Sequence, residues 1–421
     1  MSQILLTFPL FWINVAVEFL CKNAAQRRFP AMPDNALVDI DLFAGAGGLA
    51  LGLKAAGFSP VHLYEKDDHA CETLKRNVVP QGTLEAVIHP GRIEDVDWLG
   101  TASSVRLLAA GAPCQPFSLG GKHRAQEDGR NLFPEVLRAV RSLRPQAILI
   151  ENVRGLLREE FQPFFEYLLR CLEFPSLASR KHESWKDHNR RIRQHQCSSS
   201  YAPEYIVTWR HLEAADFGVP QARKRIFIIA TRTDLPIYRF PWPSHSKAAL
   251  LRAQSDGVYW ERHGIKKRKP VTPIALPENR AFPWVTVRDA LLTLPPPETV
   301  EAKAWMNHWL IPGARAYAGH GGSSLDWPSK TIKAGVHGVP GGENTVVLDD
   351  GSVRYYTLRE AARIQTFPDE HLFTGARIHI TRQLGNAVPC RLAEQVAKPL
   401  FAIFQQITPR GAVNVATCSG N

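Results

Sequence analysis

From Val38 onward the chain alternates short apolar runs with helical stretches, and this rhythm restricts the fold more than any other feature of the sequence. The runs are Val38 to Leu42, Val61 to Tyr64, Leu107 to Ala110, Ala147 to Ile150 and Arg225 to Ala230. Short strands separated by helical segments predict βαβ units and a mostly parallel sheet, hence an α/β fold. In such sheets ligands sit beyond the carboxyl ends of the strands. The groups that follow the first four runs are Phe43 with its glycines, Glu65, the loop carrying Cys114, and Glu151 with Asn152. Polar groups from separate strand ends are therefore expected to converge on one crevice.

Length and charge narrow the reading further. A chain of 421 residues exceeds one compact core of ordinary size, which predicts a large domain and a smaller one. With 44% hydrophobic and 22% charged residues, wholesale disorder is excluded. The formal net charge of +11 points toward a polyanionic partner. The seven cysteines are an odd number with no two close enough to read as a zinc pair, so a reducing cytoplasm is expected rather than a disulfide framework. The apolar stretch Ile4 to Leu20 contains Asn14 and Glu18 and lacks a basic leader and a small-residue cleavage site, so no membrane anchor is expected. Met32 stands just before the first motif, and residues 1–31 are read as the product of an upstream start codon without a function of their own.

Two stretches break the rhythm. Ser176 to Pro203 is a polar insertion with Arg180, Lys181, Lys186, Arg190, Arg191 and Arg193, read as a solvated loop. From about Pro236 to Val353 prolines, glycines, tryptophans and the basic run Lys266 to Lys269 replace the alternation, which marks a second domain. The resulting division is an N-terminal extension over 1–35, a main domain over 36–235 and 354–408, an inserted domain over 236–353, and a tail over 409–421.

The string DLFAGAGGLALGL, Asp41 to Leu53, places Gly45, Gly47 and Gly48 where a strand turns into a helix, which lets backbone approach a cofactor closely; a plain tight turn is the alternative. Glu65 ends the second strand, at a distance suited to accepting hydrogen bonds from ribose hydroxyls. GAPCQPFS, Gly111 to Ser118, is more specific, because a cysteine between prolines directly after a buried strand is held stiffly and presented outward. Glu151 in ENV adds a carboxylate at another strand end, and QARKR, Gln221 to Arg225, adds Arg223 and Arg225 at alternating positions on one face. Read singly, these charges are equally a strand-end ion pair and phosphate clamps.

The ordered series resembles the DNA cytosine-5 methyltransferase family over nearly the whole chain, from Val38 to about Phe404. The matching elements are DLFAGAGG, GAPCQPFS, DGRNLF at Asp128 to Phe133, ENV, QARKR, REAARIQTFP at Arg359 to Pro368, and QLGNAVP at Gln383 to Pro389. The resemblance implies a class I S-adenosylmethionine-dependent methyltransferase fold, Rossmann-like with a mostly parallel sheet, with a smaller target-recognition domain inserted. It implies Cys114, Glu151, Arg223 and Arg225 as the catalytic set. For S-adenosylmethionine it implies Phe43, Gly45, Gly47, Glu65, Ile93, Leu132 and Asn386. The last motif is expected to return and pack beside the first.

The implied chemistry is addition of the Cys114 thiolate to C6 of a flipped-out cytosine, which turns C5 into a nucleophile. Glu151, protonated, would relieve the ring at N3, and Arg225 would hold O2 and orient Glu151. No step calls for a metal. The implied partner is double-stranded DNA, read by the inserted domain with Pro328 to Asn344 as its candidate contact segment; a cognate restriction endonuclease would be a functional partner, an orphan methyltransferase being the alternative. The enzyme would be a monomer, associated with the bacterial nucleoid in the cytoplasm. Two departures stand at the adenine end. Arg92 precedes Ile93 where many relatives have aspartate, and Lys66 follows Glu65 where an apolar residue is common. Glu94 and Asp95 are the alternatives for the exocyclic amine. Three rival readings are a tRNA substrate, a DNA-binding regulator that has lost catalysis, and a nicotinamide dehydrogenase. The long basic insertion disfavours the first, the intact Cys114, Glu151 and Arg225 the second, and the otherwise idle GAPCQPFS, ENV and QARKR the third.

Overall fold

A computed structural model describes residues 37–78, 86–98, 105–113, 132–198, 202–266, 281–315, 321–335 and 344–407. A seven-stranded sheet organises the protein, in the order β3-β2-β1-β4-β5-β7-β6. Its strands are β1 (Val38–Leu42), β2 (Pro60–Glu65), β3 (Val87–Pro90), β4 (Val105–Gly111), β5 (Ala147–Val153), β6 (Tyr205–Glu213) and β7 (Lys224–Arg232). The first five run parallel, while β7 is antiparallel to both β5 and β6. The chain winds outward from β1 to β3, then returns to add β4 on the other side of β1. Beyond the carboxyl ends of β1 and β4, this reversal opens the crevice that such sheets use for ligands.

The sheet is apolar on both faces because helices cover both. On one side lie α3 (Phe133–Leu143) and α4 (Gln162–Glu173), which bury Val136, Val140, Phe165 and Leu168 against Ile148, Ile150, Ile226 and Ile228. On the other, α1 (Gly48–Ala56) and the final helix α11 (Cys390–Ile407) bury Leu49, Leu53, Val396 and Leu400 against Leu107, Leu149, Phe227 and Ile229. Alternate residues of one strand thus serve two cores, as the period of two requires. Helix α2 (Asp68–Val78) follows β2.

The two helices α1 and α11 approach so closely that a Cβ on Gly52 would lie 2.4 Å from Ala393 Cβ and 2.5 Å from the Cys390 carbonyl oxygen. The last helix therefore docks directly on the first, and the final motif does return beside the first.

The polar insertion is not the solvated loop expected of it. Ser184 caps helix α5 (Trp185–Cys197), its hydroxyl accepting from the Asp187 amide at 3.1 Å. Trp185, His188 and Ile192 face Phe164, Tyr167 and the main core, while Arg190 and Arg191 pair with Asp187 and Glu183. Three core contacts at helical spacing were masked by the arginines between them. Strands β3 and β6 are also absent from the apolar runs read in the sequence.

After β7 come short elements: β8 (His245–Ser246), α6 (Lys247–Asp256), α7 (Val258–Arg262), β9 (Phe282–Pro283), α8 (Val287–Leu291), β10 (Ser323–Ser324), β11 (Thr345–Val347) and β12 (Val353–Tyr355). Leu250, Tyr259 and Trp260 pack with Trp284 and Trp327 as a small core. A second cluster joins Val287, Ile332 and Val346 to α9 (Leu358–Ile364) and α10 (Arg377–Asn386), and reaches Ala46 in the glycine turn.

Candidate active site

Beyond β1 the backbone turns sharply. Phe43 has φ 61°, Gly45 φ 55° and Gly47 φ 88°, and the left-handed region is costly for phenylalanine, so the turn carries strain where the sequence placed the cofactor. Gly48 follows with a different constraint, since a Cβ there would lie 2.3 Å from the Val388 carbonyl oxygen. The turn is tied to the end of β2 by the Gly45 amide, which donates to Glu65 Oε2 at 2.9 Å across 20 residues. Glu65 Oε1 accepts from the amides of Lys66 and Asp67, each at 2.8 Å. A carboxylate offers about four lone-pair sites. Three amides leave room on Oε2 for a hydroxyl, so Glu65 fits a ribose. Beneath the turn Asp41 is fully buried, and burial first, with the Glu65 charge second, holds its carboxyl far above the usual carboxylate range.

The remaining cofactor candidates lie at the ends of other elements. Ile93 is buried in a 3-10 turn just past β3, whose Ile93 and Val96 carbonyls accept from the Arg138 guanidinium at 2.8 and 2.7 Å. Arg92 pairs with Glu94 at 2.7 Å, so that carboxylate is already engaged while Asp95 is exposed. Leu132 caps α3 and is buried. Asn386 ends α10 as an exposed residue between the buried Gly385 and Ala387. Its helix is anchored to α2 by Thr73, whose hydroxyl donates to Gln383 Oε1 at 2.9 Å.

Glu151 and Arg225 meet at a strand end on the same side of the sheet. Register pairs Val153 with Arg225 and Glu151 with Phe227, which leaves Glu151 and Arg225 as diagonal neighbours. Arg225 Nε lies 2.7 Å from Glu151 Oε1, with the two side chains 13% and 9% exposed. Glu151 also stands opposite Gly111, the last residue of β4, and Asn152 Nδ2 donates to the Ala112 carbonyl at 3.2 Å. The strand leading to Cys114 is thereby sewn to the strand bearing Glu151. Cys114 itself lies outside the described residues, as does most of DGRNLF before Leu132.

Arg223 has a different task from Arg225. It is 1% exposed, and its guanidinium donates to the carbonyls of Ile332 at 3.1 Å and of Gly385 and Ala387 at 2.9 Å each. A guanidinium held on three carbonyls ties segments together, while Arg225 pairs with Glu151.

Sequence reasoning also passed over Gln221 and Gln365. Both are fully buried, and Gln221 Nε2 donates to Gln365 Oε1 at 2.9 Å. Their signal was present, since each is an uncharged amide inside a quoted motif.

The family model for C-5 cytosine-specific DNA methylase matches residues 37–174 and 184–402. The chain belongs to that family. This DNA cytosine-5 methyltransferase is similar to the Type II methyltransferase M.Eco47II of Escherichia coli, 31% identical over 388 residues that cover 90% of this chain and 82% of that protein. It is also similar to the Type II methyltransferase M.PspPI of Psychrobacter sp. (strain TA137), 32% identical over 376 residues, 88% of this chain and 80% of the relative. Both relatives are type II methyltransferases. The fold matches a DNMT2 mutant of Spodoptera frugiperda with a TM-score of 0.56 at 18% identity, covering 87% of this chain and 100% of that one. It also matches a putative DNA modification methyltransferase encoded within an E. coli prophage, with a TM-score of 0.52 at 21% identity, covering 88% of this chain and 100% of that one. Membership implies S-adenosylmethionine as methyl donor and DNA as substrate. Among the described residues no helix is long and apolar enough to cross a membrane.

Proposed function

We propose that the enzyme methylates C5 of one specific cytosine in duplex DNA through base flipping and a covalent bond between Cys114 and C6. The observation that carries this reading is the Glu151–Arg225 pair at 2.7 Å, set beside the strand end from which the Cys114 loop departs. The Cys114 thiolate adds to C6, and the electron pair displaced from the C5–C6 bond is drawn toward N3, where Glu151 supplies a proton. Arg225 holds Glu151 through Oε1 and orients its other oxygen, with a second guanidinium nitrogen left for the base O2. Bound S-adenosylmethionine supplies the electrophilic methyl group. Loss of the C5 proton to water, elimination of the Cys114 thiolate and return of the N3 proton to Glu151 restore the aromatic ring and the starting enzyme. Extruding the base costs about a few kcal/mol, which DNA contacts must offset.

Phe43, Gly45, Gly47, Glu65, Ile93, Leu132 and Asn386 would hold the cofactor, with Glu65 on the ribose. Residues 236–353 would form the target-recognition domain, between the 36–235 and 354–408 parts of the catalytic domain. The protein would act as a monomer on the nucleoid, as the modification partner of a restriction endonuclease.

The test is incubation with S-adenosylmethionine and duplex DNA containing 5-fluorocytosine, whose fluorine cannot leave as a proton does. A denaturation-resistant complex is expected with the parent and none with Cys114→Ser. Methyl transfer to ordinary DNA by Cys114→Ser at the parent rate would sink the covalent mechanism.

A further inference from the structure

The backbone from Pro328 to Gly335 forms a strap between the 220–222 segment and the end of α10. Ser329 pairs with the 220–222 segment by two backbone hydrogen bonds, Ala222 N to Ser329 O at 2.7 Å and Ser329 N to Pro220 O at 2.9 Å. Thr331 Oγ1 donates to the Ala222 carbonyl at 2.8 Å, and the Ile332 amide donates to Gln221 Oε1 at 3.0 Å. The strap therefore runs along the residues leading into β7 and Arg225. On its far side it presses on the end of α10, where a Cβ on Gly385 would lie 2.2 Å from Ala334 N and 2.4 Å from Ala334 Cα. Nothing larger than glycine lets the two backbones touch in this way.

Arg223 sits at the centre of this contact. Its guanidinium spans the strap at Ile332 and the α10 end at Gly385 and Ala387, the two residues flanking Asn386. Gln365 adds further bonds to the carbonyls of Leu384 and Ala387 while its side-chain oxygen accepts from Gln221. At the outer edge of the strap Asn344 and Lys333 exchange two hydrogen bonds of 3.0 Å each, side-chain amide against backbone. Buried charge-assisted bonds of this kind specify one arrangement, because any displacement strands the guanidinium or a carbonyl.

We propose that Arg223, with Gln221, is a positioning residue that makes the strap and the Asn386 end of α10 move as one body, so that DNA contacts on the strap set cofactor affinity. The inference rests on the proposed assignment of Asn386 to the cofactor and of the strap to DNA. Linkage makes the effect reciprocal, since DNA that tightens cofactor binding is itself bound more tightly when the cofactor is present.

The measurement is the affinity of the full chain for S-adenosylhomocysteine, with and without fragments of an unmethylated plasmid, by titration calorimetry. Methyl incorporation into the same fragments is followed in parallel. The parent is expected to bind about tenfold more tightly with DNA present, within the range usual for coupled sites. Arg223→Lys, which keeps the charge and loses the fork, should bring the ratio close to one. Asn344→Ala, made at the exposed edge and clear of the buried ties, should lower the ratio severalfold and keeps the question decidable where Arg223→Lys melts early. A parent ratio of one, or a parent-like ratio in Asn344→Ala and in a folded Arg223→Lys, overturns the tie. Incorporation by a parent with a ratio of one removes the tie and leaves the proposed chemistry standing; a DNA-dependent ratio without incorporation does the reverse.

Discussion

Glu151 and Arg225 form an ion pair at a buried strand end, and the proposed chemistry brings the base to both. Glu151→Gln keeps shape and hydrogen bonding and removes the proton, so the single-turnover methylation rate should fall about 10²- to 10⁴-fold, the usual contribution of a positioned acid. S-adenosylhomocysteine affinity should stay within about threefold, because the pair touches none of the cofactor candidates. A Glu151→Gln enzyme that loses affinity as much as rate would assign the residue to the cofactor site instead. Arg223 illustrates the limit of reading residues one at a time. Its motif and alternation with Arg225 were visible in the sequence, but its partners are carbonyls at positions 332, 385 and 387. Nothing in a linear string says that such distant backbone arrives at one guanidinium. Glu65 is the opposite case, since two of its three amide partners lie within two residues of it.

At the scale of elements, four of the five apolar runs read from the sequence gained residues at their ends when folded, as in Ala147 to Ile150 growing into β5 through Val153. Most of the additional residues are polar or turn-forming, Glu65, Gly111, Glu151 and Asn152 among them, so hydrophobicity located each strand and undercounted it. β6 was missed because it is an edge strand whose Trp209, Arg210 and His211 face solvent, which breaks the apolar run. Helix α5 was missed because only a narrow stripe of it touches the core. The docking of α11 on α1 gives a prediction proper to this scale. Gly52→Ala places a methyl group against Ala393 Cβ, the Cys390 carbonyl and the Glu394 amide of α11 and should lower stability by about 1–3 kcal/mol, the typical cost of overpacking. Thermal unfolding measures it, and a parent-like melting temperature would show that the two helices are free to separate.

For the molecule as a whole, charge and sheet order matter more than any single contact. A formal net charge of +11 makes phosphate neutralisation the expected main source of DNA affinity. Neutralising about six phosphates would give a slope on the order of −5 in a plot of log affinity against log salt. Fluorescence anisotropy on a labelled duplex across a salt series checks this, and a slope near zero would mean that base contacts and shape, not the backbone, carry the binding. The sheet order has a consequence for how such a protein is made. The glycine turn beyond β1 is closed by Val388 and its neighbours, which follow β12 in the chain. Translation runs from Gly48 through β12 before this wall exists, so until then a nascent chain offers a cofactor only an open turn.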